Sequence, residues 1–237
     1  MNKCNKVKLG KRLQAIEMMV AEDYDHIWDC CCDHGLLGFQ LLENNKGNHL
    51  HFVDVVAPLM KEIEQKLQRY YQGESKYSVH CLDVAALPLA DYQQEKHLII
   101  IAGVGGELLI HFLTALLPLT SLLNVQFLLS PVHHNYQLRE FLQKQNCHLL
   151  DEKIIEENKR FYELIHIESP IMKSPSLNTM ALNHPISLVG DKMWDFDNSS
   201  HRTYLQQTIE HYQRMSKNPS INVFDIIKAY QDLRPSV

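Results

Sequence analysis

The sequence predicts an α/β fold in which a largely parallel sheet of seven strands lies between helices, with a small helical extension at the carboxyl end. Up to Asn146, short apolar segments alternate with helical segments, which is typical of βαβ units and a parallel sheet. The segments 98–101 and 127–129 are apolar at every position, as expected of central strands covered on both faces. Two later strand-like segments have only a short polar connection, which predicts an antiparallel hairpin and completes the sheet.

The first predicted element is a helix over 9–20, because Leu9, Leu13, Ile16 and Val20 fall on one helical stripe. Five strands and four helices follow in alternation. We predict strands over 26–31, 50–55, 77–82, 97–102 and 125–130, and helices over 36–44, 58–71, 106–117 and 136–145.

The remaining elements differ in kind. The hairpin strands cover 148–155 and 160–168, a linker rich in proline and serine follows, and two helices cover 199–215 and 223–233. Ser199 or Ser200 can cap the first of these helices. We therefore divide the chain into a domain over 1–169 and a C-terminal helical domain over 170–237. Two helices bury little surface alone, so they should pack back on the sheet domain or hold a partner.

Composition sets broad limits on function. The 237 residues, 45% hydrophobic and 22% charged, suffice for one well-buried domain and an appendage. No apolar run is long enough to span a bilayer, so we expect no membrane partner. The basic start has no apolar segment after it and is not a secretory signal, which leaves the cytoplasm as the default location. The sequence leaves the oligomeric state open.

The cysteines and histidines give no sign of a metal site. Three of the six cysteines are contiguous, Cys30, Cys31 and Cys32, and none forms a CxxC pair, so we expect reduced thiols that act as small apolar residues. The fourteen histidines are scattered along the sequence. We predict no bound metal.

The net charge of −5 argues mildly against a nucleic-acid partner, since phosphate contacts need lysine and arginine. Five basic residues nevertheless precede the first acidic one, Glu17. They form either a solvated face or a phosphate-contacting arm, and the sequence favours neither. These residues are Lys3, Lys6, Lys8, Lys11 and Arg12.

The end of the first predicted strand is acidic. It reads DCCCDHG over 29–35, without the GxGxxG motif of a nicotinamide enzyme or the glycine-lysine loop of a P-loop protein. Ligands of open α/β sheets lie at the carboxyl ends of the strands. There, Asp29 and Asp33 suit a ligand with positive charge, and they would repel phosphates. A nicotinamide oxidoreductase is therefore disfavoured.

Two further strand ends carry carboxylates. Asp54 follows the second strand, where an acidic residue can accept hydrogen bonds from ribose hydroxyls. Asp83 follows the third strand, where it can accept from the exocyclic amine of an adenine. Any one of these carboxylates could be an ordinary solvated residue at a strand end. Carboxylates at three successive strand ends are harder to explain by chance. The fourth strand runs into glycines at 103, 105 and 106, which permit close backbone approach to a ligand and open a helix whose amides could hold an anion.

Taken together, these segments resemble the bacterial tRNA (adenine-22-N1)-methyltransferase family over nearly the whole chain. The most specific match is IAGVGG at 101–106, close to the family's IAGMGG. Further matches are LGKRL at 9–13 and KRFYE at 159–163. The strand-end aspartates and His34 also match, as does the segment that contains Ser130-Pro131, Asn135 and Leu138-Arg139. The sequence departs from the family at Cys31, which replaces a glycine, and in the spacing between Pro131 and Asn135.

The resemblance implies a Rossmann-like class I methyltransferase domain with a helical extension, S-adenosylmethionine as cofactor and tRNA as substrate. It also implies residue roles. Asp33 would be catalytic by stabilising the cationic product. The cofactor would be bound by Asp29, Cys31, Asp33, His34, Gly35, Asp54, Val55, Asp83, Val84, Ala102, Gly103 and Gly105. The substrate would be bound by Lys8, Lys11, Arg12, Gly106, Pro131, Asn135 and Arg139.

The implied reaction is methyl transfer to N1 of adenine, whose in-plane lone pair needs no prior deprotonation, so that positioning is the main task. N1 pairs in a duplex, and the base must be extruded onto an apolar or aromatic platform. Phe161, Tyr162 and His133 are candidates. Arg202, Arg214 and Lys217 on the tail could add phosphate contacts.

Two alternatives remain. A methyltransferase acting on a protein or a small molecule agrees with the acidic net charge. A non-catalytic RNA-binding module without cofactor agrees with Cys31 in place of glycine.

Overall fold

One mixed sheet of seven strands organises the protein, in the order β3-β2-β1-β4-β5-β7-β6. The computed structural model describes residues 9–21, 23–71, 76–120, 123–170, 185–218 and 222–233. The first five strands are parallel, and β7 pairs antiparallel with both β5 and β6. The predicted fold class is confirmed. The strands are β1 (His26–Cys30), β2 (His49–Asp54), β3 (Tyr77–Cys81), β4 (Lys96–Ala102), β5 (Asn124–Ser130), β6 (His148–Glu157) and β7 (Arg160–Glu168).

Among the described residues, seven α-helices precede, connect or follow these strands, and each helix end lies within three residues of its predicted position. Two short 3₁₀ helices between β3 and β4, Val84–Ala86 and Leu89–Tyr92, were not predicted. The α-helices are α1 (Lys11–Met19), α2 (Leu36–Glu43), α3 (Ala57–Tyr70), α4 (Gly106–Thr120), α5 (Asn135–Lys144), α6 (Ser199–Met215) and α7 (Phe224–Gln231).

The sheet separates two hydrophobic clusters. Along β4, Ile99 and Ile101 face one cluster, whereas Leu98 and Ile100 face the other. Helices α4 and α5 cover the first face, and α1, α2 and α3 cover the second. This three-layer arrangement explains why the central strands are apolar at every position.

The C-terminal helices pack back on the sheet domain. Tyr204 of α6 lies in a cluster with Ile154 of β6, Met193 and the partly buried Phe161 of β7. The Tyr204 hydroxyl also donates to the carboxylate of Glu163 on β7, at 2.6 Å. Of the two arrangements expected for these helices, packing on the domain is therefore the one observed.

Five of the fourteen histidines, far apart in the sequence, converge on the neighbouring strands β1 to β4. The cause is the parallel register, which sets His26 beside His49 and His97. A hydrogen-bonded chain links Glu95, His26, His51 and His80, with successive separations of 2.5, 2.9 and 2.9 Å. We call these four residues the histidine chain.

The described cysteines are free thiols. In the described part of the chain, no helix combines the length and the apolar character needed to cross a bilayer. Nor do the described residues include three or more His, Cys, Asp or Glu side chains grouped to hold a metal ion.

Candidate active site

A cavity of about 370 Å³ lies at the carboxyl ends of β1 and β4. This volume falls within the range of about 300–1,000 Å³ typical of small-molecule sites. We call it the crevice. Three segments line it: the start of α1, the turn between β1 and α2, and the turn after β4. The lining residues are Arg12, Leu13, Asp29, Cys30, Cys31, Cys32, Asp33, His34, Leu36, Leu37, Ala102, Gly103 and Val104.

The turn after β1 is built from left-handed backbone. Cys31, Asp33 and Gly35 have φ values of 55°, 51° and 69°. A Cβ at Gly35 would lie 2.9 Å from the end of the Ile63 side chain, so both its backbone conformation and its surroundings favour glycine. Cys31 holds the left-handed conformation without being glycine. Its partly buried side chain packs against the cluster under α4, and the crevice stays open beside it.

Asp29 is the buried acid of the crevice, with 4% of its surface exposed. Its Oδ2 accepts a hydrogen bond of 2.9 Å from the Gly38 amide, which ties β1 to α2. The pKa of Asp29 is raised to about 7, chiefly by burial; the hydrogen bond from the Gly38 amide lowers it, and the charge of Asp54 adds to the rise. A positively charged ligand would favour the ionised form of this carboxyl.

Asp54 and Asp83 lie on the neighbouring strand ends. Asp54 accepts from the amides of Asp33 and Val56, each at 3.1 Å. Asp83 accepts from the Ala85 amide at 2.8 Å and caps the first 3₁₀ helix. Each carboxylate oxygen can accept a second hydrogen bond.

The carboxylates of Asp29, Asp54 and Asp83 all affect the thiol of Cys31 electrostatically. Burial raises the pKa of the Cys31 thiol to about 12, and the charges of Asp54, Asp29 and Asp83 contribute in that order. A charge changes the pKa of a thiol noticeably only when it lies close by, so all three carboxylates lie near Cys31. The structure therefore brings the predicted acidic residues together around the turn after β1.

Arg12 lies in the wall of the crevice. Its guanidinium stacks over the Tyr162 ring of β7 at 4.7 Å. Nε and Nη1 are buried and have no hydrogen-bond partner among the described residues. Arg12 is also the basic residue of the crevice lining, so its charge is suited to attract an anionic group there. The sequence predicted Arg12 as an RNA phosphate contact, and the structure places it beside the predicted cofactor residues.

The turn after β4 forms the far wall. Gly103 has a φ of 88°, and a Cβ there would lie 3.7 Å from Nη2 of Arg12. A Cβ on Gly105 would overlap the His133 ring, at 2.2 Å. The Gly106 amide donates to the His133 carbonyl at 2.9 Å, so it serves the loop after β5. Of the amides that open this helix, the one of Gly106 is therefore not available to an anion.

Beyond this wall lies a second cavity of about 390 Å³, between the loop after β5, β7 and the two C-terminal helices. Of the three predicted platform residues, His133 and Phe161 line it. Tyr162 does not, because successive residues of a strand face opposite sides of the sheet, and Tyr162 lies under Arg12. Sequence reasoning missed the contributions of Tyr204, Tyr212 and Tyr230 from the tail, since no local signal assigns tail residues to this place.

The prediction of Arg139 as a substrate ligand was wrong. Its side chain is fully buried and pairs with Glu152 and Glu163, each at 2.7 Å. It also donates to the Ser187 carbonyl at 3.1 Å. A guanidinium held by two carboxylates and a carbonyl in the core has no surface for a substrate.

The other predicted positions are spread around the two cavities. Val55 is exposed beside Asp54, and Val84 is buried behind Asp83. Pro131 is buried, and Lys11 is exposed at the start of α1. Asn135 lines the second cavity, while Lys3, Lys6 and Lys8 lie outside the described residues.

Residues 9–165 match a family model described as a methyltransferase domain. No curated protein matches the chain by sequence.

Solved structures match over nearly all of the chain. Streptococcus pneumoniae Sp1610 in complex with S-adenosyl-L-methionine has a TM-score of 0.73 at 21% identity, covering 95% of this chain and 99% of that chain. The B. subtilis M1A22 tRNA methyltransferase TrmK has 0.70 at 21%, covering 95% and 98%. M. capricolum TrmK in complex with S-adenosyl-homocysteine has 0.66 at 18%, covering 94% and 93%. At these identities the likeness shows the fold.

Proposed function

The chain belongs to the methyltransferase domain family, and from that premise we propose that it methylates N1 of an adenine in tRNA, with S-adenosylmethionine as methyl donor. The observation that carries the proposal is one crevice that combines strand-end carboxylates with an unpartnered buried guanidinium. The donor has two positive centres, a sulfonium and an ammonium, and one carboxylate, and this charge pattern fits the crevice.

The residues of the crevice would divide the work of holding the donor. Asp29 faces its positive centres and Arg12 binds its carboxylate. Asp54 accepts from the ribose hydroxyls and Asp83 from the adenine amine, with Val55 and Val84 beside them. When bound, the cofactor supplies an electrophilic methyl group. Cys31, His34, Ala102 and Gly103 complete the walls of the crevice, and Gly35 and Gly105 would shape the turns beside it.

The chain itself has little covalent chemistry to perform. N1 of neutral adenine carries its lone pair in the ring plane, so the protein needs no base and must chiefly align the reactants. The product ring is cationic. Asp33 was expected to stabilise this charge, but its side chain is 72% exposed, where water screens its effect. A role on the cofactor side of the crevice suits Asp33 better.

A tRNA substrate is supported by the B. subtilis M1A22 tRNA methyltransferase, which aligns over 95% of this chain and so beyond the sheet domain. We propose that the units 1–169 and 170–237 both contact the RNA. Exposed Lys11, Arg202, Arg214 and Lys217 would contact phosphates, which position the substrate without selecting it. A tRNA substrate also agrees with a cytoplasmic location.

The test is methylation of unmodified tRNA with labelled cofactor, followed by primer extension. N1-methyladenine blocks pairing, so a new stop would locate the product. Label transfer to protein or a small molecule in place of tRNA would favour the first alternative. Absence of cofactor binding in calorimetry would favour a cofactor-less RNA-binding module.

A further inference from the structure

The turn between β6 and β7 lies at the same edge of the sheet as the crevice. β7 runs antiparallel to β5, so it begins near the carboxyl end of β5, and β6 ends beside it. The pairing of Glu157 with Arg160 leaves two residues between the strands, Asn158 and Lys159. We call residues 157–160 the hairpin tip.

The hairpin tip is joined to the wall of the crevice through the start of α1. Oε1 of Glu157 accepts a hydrogen bond of 3.3 Å from the Arg12 amide. A Cβ on Gly10 would overlap the Glu157 carboxylate, so the glycine lets this carboxylate approach the helix. Arg12 also lines the crevice. The hairpin tip therefore lies beside the crevice, with α1 as its neighbour.

Lys159 adopts a backbone conformation that its side chain does not favour. Asn158 and Lys159 have φ values of 51° and 63°, and two-residue hairpin turns commonly place a positive φ at both positions. Asparagine followed by glycine is the usual choice there, because glycine takes a positive φ without steric cost. A lysine in the place of that glycine is strained, and strained residues cluster at functional sites.

The type of residue sets Lys159 apart from most other strained positions. Asparagine, aspartate and histidine are the residues that adopt a positive φ most readily. Among the described non-glycine residues with a positive φ, Cys31 and Lys159 alone are of other types. Cys31 belongs to the crevice, and Lys159 belongs to the hairpin tip beside it. The geometry of the turn alone does not explain why a lysine occupies this position.

The cations of the hairpin tip are not neutralised by the described residues. Lys159 and Arg160 are exposed, and neither forms an ion pair in the described part of the chain. Lys11, exposed at the start of α1, is likewise unpaired among those residues. In contrast, the exposed Lys144 and Lys153 have carboxylates at 3.1 and 3.9 Å. Two neighbouring elements thus present three cations beside the crevice.

The two carboxylates next to the turn have other partners. Glu157 accepts from the backbone of α1, as described above. Glu156, which points to the other side of the strand, accepts from the Ser200 hydroxyl of α6 at 2.5 Å. The charges of Lys159 and Arg160 therefore remain available to a ligand.

We propose that the hairpin tip binds phosphates of the tRNA backbone and that Lys159 occupies its strained position because its ammonium contacts one of them. This inference rests on the proposed function and adds a contact surface to it. Exposed ammonium and guanidinium groups bind phosphate oxygens through charge-assisted hydrogen bonds. Arg160 and Lys11 would contact neighbouring phosphates. These contacts hold the RNA at the mouth of the crevice without selecting the base.

The experiment measures the affinity of the full chain for tRNA as a function of salt concentration. Lys159→Gly removes the charge and the strain together. Its affinity should be about two- to tenfold lower than that of the wild type, and the slope of log affinity against log salt should be less steep by about 0.7–0.9, the value of one phosphate contact. Its melting temperature should not fall, because glycine fits the turn.

Three matched variants separate charge from the shape of the turn. Asn158→Gly alters the same turn without altering its charge and should keep the wild-type affinity and slope. Lys159→Arg keeps the charge and should keep the slope. Lys76→Gln removes a charge at the start of β3, which is exposed at the opposite edge of the sheet, and should also keep the slope.

A second readout is steady-state methylation of tRNA. Lys159→Gly should raise the KM for tRNA about two- to tenfold and leave kcat unchanged, because a contact to the RNA backbone does not touch the reacting atoms. Its affinity for S-adenosylmethionine should equal that of the wild type. Should Lys159→Gly fold poorly, Lys159→Gln, which keeps a side chain in the turn, tests the charge with the same expected slope.

The outcomes separate the two proposals. If the wild type methylates tRNA but Lys159→Gly keeps the wild-type salt slope, the phosphate contact is overturned and the proposed function stands. Equal losses of affinity in Lys159→Gly and Asn158→Gly would also overturn it, since the shape of the turn would then matter and the charge would not. If the wild type neither binds nor methylates tRNA, both proposals fall.

Discussion

At the scale of single residues, the crevice is governed by a carboxyl group removed from water. Asp29 is buried at the end of β1, and burial raises its pKa to about 7. Near neutral pH it is therefore divided between a neutral and a charged form. Ligand binding in the crevice becomes linked to the protonation of this one group.

The affinity for S-adenosylmethionine should depend on pH through Asp29. The carboxylate attracts a cationic ligand and the protonated form does not, so affinity should be full well above a pH of about 7 and fall below it, by up to tenfold per pH unit. Calorimetric titration across this range measures the effect. Asp29→Asn should bind weakly with a flatter profile, and a wild-type affinity that is constant across the range would contradict the assignment.

Arg12→Met should weaken cofactor binding about 10- to 100-fold, the value of one or two charge-assisted hydrogen bonds in a buried place. Arg69→Met is the matched control, because Arg69 also lies over an aromatic ring, Tyr70, but is exposed on α3. The measurement is cofactor affinity together with tRNA affinity. Loss of tRNA affinity alone would return Arg12 to the role of a phosphate contact.

Cys31→Gly should tighten cofactor binding severalfold. A left-handed φ of 55° costs a non-glycine residue about 1–2 kcal/mol, and glycine removes both this strain and a Cβ at the crevice wall. The added freedom of the unfolded chain offsets part of the gain, so the melting temperature should change little. Cys31→Ala keeps the Cβ and should bind as the wild type does. If alanine and glycine behave alike, the Cβ does not limit access.

At the scale of elements, the strand ends were predictable and their partners were not. Apolar runs in the sequence located β1 to β5. Once the strand bounds are known, the acidic residues at the ends of β1, β2 and β3 can be identified directly. Arg12 could not be placed, because its partner Tyr162 comes from β7, far along the chain. The 3₁₀ helices were missed because three or four residues give no measurable period. The histidine chain needs the register of three strands, which sequence alone does not supply.

The histidine chain should make the fold sensitive to acid. Burial lowers the pKa of His51 from 6.5 to about 2, and that of His80 and His97 is also lowered. Below pH 6.5, His51 binds a proton in the unfolded chain but stays neutral in the folded chain. The contribution of His51 to stability is thus complete above this pH and is lost as the pH falls below it, by up to about 1.4 kcal/mol per pH unit. Asp29 acts oppositely between pH 3.8 and about 7 and offsets one histidine.

Denaturant unfolding between pH about 7 and 5 measures this slope. His51→Gln keeps a donor and an acceptor but cannot take up a proton, so its slope, averaged over this range, should be smaller by about 1 kcal/mol per pH unit. His111→Gln, at an exposed position on α4, should keep the wild-type slope. Equal slopes in all three proteins would show that His51 does not control the acid response.

At the scale of the whole molecule, the tail is a structural part of the sheet domain. Glu152 accepts from the amide of Lys192 at 2.7 Å and also from that of Asp191, and Arg139 donates to the Ser187 carbonyl. These contacts join residues beyond 185 to α5 and β6 inside the core. The predicted boundary near residue 169 thus divides the sequence, but the residues on its two sides pack into one core.

Tyr204→Phe should lower the free energy of unfolding by about 1.5–3 kcal/mol, because the carboxylate of Glu163 loses a buried donor. Tyr212→Phe is the control, since Tyr212 is similarly buried in α6 and packs mainly against other rings. Chemical denaturation of both variants gives the values. A loss below about 0.5 kcal/mol for Tyr204→Phe would show that water replaces the hydroxyl there.

The carboxylate of Glu163 has two duties at once: one oxygen holds the arginine that secures the tail, and the other accepts from the Tyr204 hydroxyl of α6. Sequence drift in the appendage therefore cannot stay silent in the core of the sheet domain. A substitution that shifts α6 slightly would leave this buried carboxylate without one of its donors.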